Sequence, residues 1–553
     1  MVSSVTRTDK SNYRSHRSPV MGRGGMVASS QPLATAAGLE ILSRGGNAAD
    51  AAVATAAALN VTEPTSTGIG GDMFALYFEG STQQMTAING SGRAPAALNL
   101  KLLRKNGLTE LPPYHPYTVT VPGACAGWCD LVRRHGSMNL VDIFAPAIRL
   151  AEAGFPVAPI TSHFWKIAAS KHLKETLNGQ EMTLEGRGPE PGEIFRNPSL
   201  AKTFRIVAEG GQAAFYTGEI GEAIISTLHR AGGCMVMDDL VGHTSTWEEP
   251  ISTTYGSLRL WECPPNGQGI AALIALNLLE GFDLPADPLD ADRLHLEIEA
   301  MRLAFVDVRW FIADPNYRKR GDTPPPQGYD WLISKAYATD RRRLIDPLKA
   351  TLDQQRGAPS SGSDTVYFCV VDGRGNACSF INSNYMGFGT GIVPSGFGFT
   401  LQNRGHNFNL QPGHPNVLAP GKRPYHTIIP AMITRGSDGS LFGAMGVMGG
   451  FMQPQGHLQV FLALAQGLNS QAVLDMPRFC ICDGTAGGEV SLEEGIPGRT
   501  VADLAARGHP VRKVSGWNRV LFGRGQVILR DSVTGVLTGG SDPRADGCAM
   551  AII

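Results

Sequence analysis

The run Thr365-Val366-Tyr367-Phe368-Cys369-Val370-Val371, a Gly-rich turn over 372–376 and a second run from Ala377 to Asn382 predict a β-hairpin deep inside a chain of 553 residues. Residues 316–363, just before it, are polar and hold Pro324-Pro325-Pro326 and Ser360-Ser361-Gly362-Ser363. Such a segment is expected to be flexible and open to solvent, so a cut in front of Thr365 can be accommodated. The hairpin would then begin on a free Thr, and that restricts both the fold and its chemistry.

A Thr hydroxyl is a poor nucleophile without a base. At a chain terminus its own α-amine supplies one, because an α-amino pKa of about 7.7–8.0 leaves a neutral fraction near pH 7. The same hydroxyl, before any cut, can attack the carbonyl of Asp364 and shift the peptide to an ester that water opens. Both reactions develop a negative oxygen. Gly446-Val447-Met448-Gly449-Gly450-Phe451 is a Gly-rich turn opening a helix, where backbone N–H groups can face such an oxygen. Read singly, this turn and Thr365 are ordinary features of a strand and a helix start.

The rest of the chain alternates helices with strand pairs. Leu33–Ser43 reads as a helix behind Pro32, stopped by Gly45-Gly46, and Asn47 is placed to cap a second helix over Ala48–Leu59. Phe74 to Ile88 alternates like strand. Residues 139–153, 198–209, 219–231 and 268–280 read as amphipathic helices, and 288–312 as one long helix. Strand runs return near 427–433 and 441–446, followed by a helix from Gly450 through Leu464. Helices at both ends of interleaved hairpins fit an α+β fold, a four-layer αββα sandwich.

Net charge is -1, from 48 basic and 49 acidic side chains, so neither nucleic acid nor a membrane surface is expected as a partner. The nine Cys lack paired zinc spacing and read as reduced thiols; no metal or cofactor is expected. Gly68-Ile69-Gly70-Gly71 lacks the Lys-Ser/Thr of a phosphate loop. The first 20 residues have no apolar core of a signal peptide, and no run reaches the length of a membrane span. A cytoplasmic location is expected; Arg7, Lys10, Arg14 and Arg17 leave a mitochondrial presequence as the alternative to a simple tail over 1–22.

Seven segments together resemble the γ-glutamyltransferase (γ-glutamyltranspeptidase) family of N-terminal-nucleophile hydrolases: Arg23–Ser29, Gly45–Ala54, Pro64–Gly71, Asp364-Thr365, Gly389-Thr390-Gly391, Lys422-Arg423-Pro424 and Gly449-Gly450. The resemblance runs from about Gly25 to the end of the chain. It implies cleavage between Asp364 and Thr365 into a large subunit, 23–364, and a small one, 365–553, both parts of one αββα fold. A homodimer of such processed pairs is compatible with it. It further implies Thr365 as nucleophile, Ser383 as the second hydroxyl bonded to it, and Gly449 and Gly450 as the oxyanion pair.

The substrate positions depart from the family pattern. Ser91 stands where an Arg holds the glutamyl α-carboxylate, with the only nearby Arg displaced to Arg93. Tyr385 replaces an Asn, Arg404 a Gln, and Asn407 the Asp that binds the α-amine. His426-Thr427 replaces a Ser-Ser pair. The short stretch Val417–Lys422 implies that the lid over some members' sites is missing. Losing the Asp charge disfavours an ammonium partner. Arg404, Arg93 and His426 could instead hold a small carboxylate, as in the oxamate amidohydrolase branch. The arginines read equally as ion-pair residues and His426 as a structural one. The expected reaction is therefore hydrolysis of an amide of a small carboxylate-bearing acid, oxamate-like; the alternative is hydrolysis or transfer of γ-glutamyl amides such as glutathione. A relative kept as an unprocessed, non-enzymatic scaffold is the third reading.

Overall fold

The computed structural model describes residues 17–317, 328–352, 364–482 and 488–553. Two seven-stranded antiparallel sheets lie face to face. The first has the order Cys548–Ile552, Gly25–Ser29, Asp364–Asp372, Ala377–Tyr385, Asp72–Glu79, Gln84–Gly90, Thr246–Glu248. The second runs Val20–Gly22, Leu537–Ser541, Arg524–Arg530, Leu441–Met448, Ala431–Arg435, Leu258–Glu262, Ile251–Tyr255. Both sheets combine strands from before and after Thr365.

Apolar side chains on the strands divide by face. Phe74, Leu76, Tyr367, Cys369, Ile381, Met432, Ala444 and Ile528 fill the space between the sheets. Their alternates Ala75, Tyr77, Val366, Phe368, Val370 and Phe380 pack outward against the Ala-rich helices Pro32–Ser43 and Ala48–Thr62. On the far side Leu260, Ile433, Met445 and Val447 pack on Ile270–Leu279, Ala291–Phe311 and Met452–Ala465. The strand period of two thus builds four layers, α, β, β, α, as expected. Among the described residues no helix is long and apolar enough to cross a membrane.

Several boundaries differ from expectation. Val20–Gly22 pairs with Leu537–Gly539, so part of the predicted tail is a sheet strand; its first 16 residues lie outside the described ones. Ile270–Leu279 is buried all round rather than amphipathic, because it is sandwiched between sheet and outer helices. The strand expected from 427 begins at Ala431. Before it, the His426 and Gln268 N–H groups pair with the loop carbonyls of Asn266 and His426, and Pro430 has no N–H to donate. Of the segment 316–363 expected to be flexible, Asp330–Ile333 and Lys335–Arg342 form short helices that bury Leu332 and Ala338, while 318–327 and 353–363 lie outside the described residues.

Candidate active site

Thr365 sits at a β-bulge. Asp364 is opposite Tyr385 and Val366 opposite Asn382, so Ser383 and Asn384 together face Thr365. The bulge turns the Thr365 hydroxyl onto Ser383: Oγ1 donates to Oγ at 3.0 Å, and both residues are buried. Ser383 Oγ also accepts from the Tyr385 N–H at 2.8 Å. Tyr385 has φ 79, a left-handed conformation that a bulky residue adopts only when its surroundings impose it.

The next strand supplies a residue that sequence reasoning missed. Asp72 lies across the ladder from Ser383 and is buried. Its carboxylate accepts from the Gly92 N–H (2.9 Å), Gln402 Nε2 (3.2 Å) and His426 Nε2 (3.1 Å), and Arg404 Nε lies 3.5 Å away. A buried carboxylate is tolerable only with such partners. His426 Nδ1 faces the Ile428 N–H at 3.4 Å, which leaves Nε2 to carry the proton toward Asp72. Burial, then the Arg404 charge, push His426 down to about 3, so the imidazole is neutral.

Arg404 spans the site. Its Nη1 donates to Thr427 Oγ1 at 2.8 Å and its guanidinium carbon lies 4.6 Å from the Tyr385 ring centre. Burial lowers its pKa to about 10 against the opposing pull of Asp72, so it stays charged at neutral pH. Arg404 Nη2, Asn407 Nδ2 and Gln453 Nε2 are buried donors with no hydrogen-bond partner among the described residues. A buried unsatisfied donor costs about 1–3 kcal/mol, which marks these atoms as places for a ligand oxygen.

Gly449 (φ 134) and Gly450 (φ 59) form the turn between the strand Leu441–Met448 and the helix Met452–Ala465. The Gly449 carbonyl accepts from the Met452 N–H at 3.0 Å, which turns the Gly450 N–H, on the same trans peptide, away from the helix. Gln268 Nε2 bridges the carbonyls of Gly450 (2.8 Å) and Thr427 (2.7 Å), tying the glycine turn to the Arg404 cluster. The strand crosses close over the Thr365 strand: a Cβ on Gly446 would lie 2.4 Å from the Tyr367 ring.

The structure thus brings Thr365, Ser383, Tyr385, Arg404, Thr427 and His426 into one connected network, and Gln268 joins the glycine turn to it. Ser91 is buried beside it, its Oγ accepting from Asn266 Nδ2 at 3.2 Å. Arg93 stands apart. Its Nη1 donates to the Thr244 carbonyl at 3.3 Å, and among the described residues no hydrogen bond or ion pair links it to Thr365, Arg404 or Thr427. Among the described residues no group of three His, Cys, Asp or Glu is arranged to hold a metal.

The family model for gamma-glutamyltranspeptidase matches residues 34–552. The chain belongs to that family. It is 34% identical to the glutathione hydrolase-like YwrD proenzyme of Bacillus subtilis over 96% of this chain and 99% of that one. It is 31% identical to the oxamate amidohydrolase proenzyme of Klebsiella pneumoniae over 95% and 98%. The solved cephalosporin acylase of Bacillus halodurans is 44% identical, covers 99% of each chain and superposes with a TM-score of 0.89. Membership makes this gamma-glutamyltranspeptidase-family chain an enzyme, a hydrolase or transferase acting on C–N bonds.

The segment Asp542-Pro543-Arg544-Ala545-Asp546-Gly547 is structural here. Asp542 pairs with Arg478 (2.8 Å) and Arg544 (3.0 Å), Arg544 with Glu493 (2.5 Å), all buried. Asp546 accepts from the Ile160 and Thr161 N–H groups at the start of the helix Pro159–Ala168, where an anion suits the orphan donors.

Proposed function

We propose that the chain cuts itself between Asp364 and Thr365 into 1–364 and 365–553, with 23–364 and 365–553 the two subunits of one fold, and then hydrolyses the amide of a small carboxylate-bearing acid. In this reading Thr365 Oγ attacks the amide carbon and the freed α-amine takes its proton. That proton passes to the departing nitrogen as the C–N bond breaks, and water opens the resulting ester. The observation that carries the reading is the 3.0 Å hydrogen bond from Thr365 to Ser383 at a buried bulge. Ser383 orients the hydroxyl, and the N–H groups of Gly449 and Gly450 receive the oxyanion.

Arg404 and Thr427 hold the carboxylate of the acyl group, with the open Arg404 Nη2 as its second donor. Tyr385 is the platform beneath, and Asp72, His426 and Ser91 position these groups. Asn407 offers a neutral amide donor rather than a charge for an α-ammonium. Likeness to an oxamate amidohydrolase supports this acyl class. Likeness to a glutathione hydrolase-like protein favours a second reading, γ-glutamyl amides. The two separate by measuring ammonia released from oxamate beside aniline released from a γ-glutamyl anilide. Turnover of oxamate that falls at least about tenfold in Arg404→Met supports the first; turnover of the anilide alone overturns it.

A further inference from the structure

A second buried arginine is linked to the bulge at Thr365 by a route independent of Arg404. Arg524 lies opposite Met448, the residue before Gly449, and its Nε is 3.4 Å from Met448 Sδ. Its Nη1 donates to Glu63 Oε1 at 2.9 Å. Glu63 Oε1 also accepts from Ser66 Oγ (3.0 Å), and the Ser66 carbonyl accepts from the Asn384 N–H (3.3 Å), one of the two residues facing Thr365. The turn holding Glu63 and Ser66 therefore links Arg524 to the bulge. It shares no hydrogen bond or ion pair with Asp72, Arg404 or Thr427 among the described residues. Its Nη2 is buried without a hydrogen-bond partner, at 3% exposure of the side chain, and its guanidinium carbon lies 5.9 Å from the ring of Phe164.

An amide substrate has two halves, and only one is accounted for by Arg404. Glu63 occupies one edge of the Arg524 fork and leaves the Nη2 side open, the geometry that suits a carboxylate oxygen. We propose that Arg524 binds a carboxylate on the leaving amine, so that the preferred substrate is an acylated amino-carboxylate rather than a primary amide. The inference rests on Thr365 being the point of acyl transfer. It adds to the oxamate-like acyl half a leaving group larger than ammonia, with Phe164 beside it.

Calorimetric titration of the purified protein with 4-aminobenzoate and with aniline reads the leaving-group site directly. The expected result is binding of 4-aminobenzoate at least about tenfold tighter than aniline. Arg524→Met should erase that preference. Arg524→Lys keeps a charge beside Glu63 but loses the fork, and should lower the preference several-fold even if the Met variant fails to fold. Equal binding by the wild type, or an undiminished preference in either variant, overturns the proposal. No acyl donor is used, so this failure is read separately from a failure of Thr365 to be released, which intact mass reports.

Discussion

Replacing Asp72 by Asn keeps the volume of the side chain and removes its charge. The N–H of Gly92 can still be accepted, but Arg404 is left as a fully buried cation without a counter-charge. Breaking a buried ion pair from one side costs about 3–5 kcal/mol, and retention of one acceptor puts Asp72→Asn near about 3 kcal/mol. That is a large part of a total stability of about 5–15 kcal/mol. Arg404→Met strands the carboxylate instead, which keeps three hydrogen-bond donors, so its loss should be no greater. The double variant removes both charges and should lose less than the sum by about 1–3 kcal/mol. Urea unfolding followed by tryptophan fluorescence measures this, since Trp128 Nε1 donates to Asn382 Oδ1 at 3.0 Å, next to Ser383. Losses that add to within about 0.5 kcal/mol would refute the coupling assigned to Asp72 and Arg404.

Ser383→Ala removes the acceptor of both Thr365 and the Tyr385 N–H, and should lower turnover at least about tenfold, with Ser383→Thr restoring most of it in the same steady-state assay. Gly446→Ala drives a methyl into the Tyr367 ring and should lower stability by about 1–3 kcal/mol in urea titration. Burial holds His426 and His243 at about 3 in the folded protein, so the unfolded chain binds protons that the folded one refuses. Their contribution is complete above pH of about 6.5 and falls as pH drops toward about 3; urea midpoints across that window should decline, and a flat profile would contradict the assignment.

Local signals carried much of the fold. Asn47 accepts from the Ala49 and Asp50 N–H groups as its place before an Ala-rich run suggested, and the Thr365 hairpin forms as expected. Helix 198–209 was legible but short. The assigned helix reaches Tyr216 across Gly211 at φ 63; the pair Gly210-Gly211 marks the kink, but no local pattern tells a kink from a helix end. The site was harder. Thr365 and the glycine turn carry their signal in residue type and order and Ser383 in the family resemblance, whereas Asp72 carries no such signal. Its importance comes from partners at Arg404 and His426, more than 300 positions away, which no local pattern records. Arg93 left two readings open for the converse reason, since nearness to Ala94-Pro95 says nothing of where a long side chain is drawn, here to the Thr244 carbonyl.

The most direct test is the intact mass, under denaturing conditions, of wild type beside Thr365→Ala. Sharing 58.9 kDa in proportion to residues 1–364 and 365–553 gives pieces of about 39 and 20 kDa, as release of an N-terminal Thr requires. The account predicts both pieces for the wild type, the smaller beginning at Thr365, and one uncut chain for Thr365→Ala. A single uncut chain from both proteins, or two pieces from both, would contradict it.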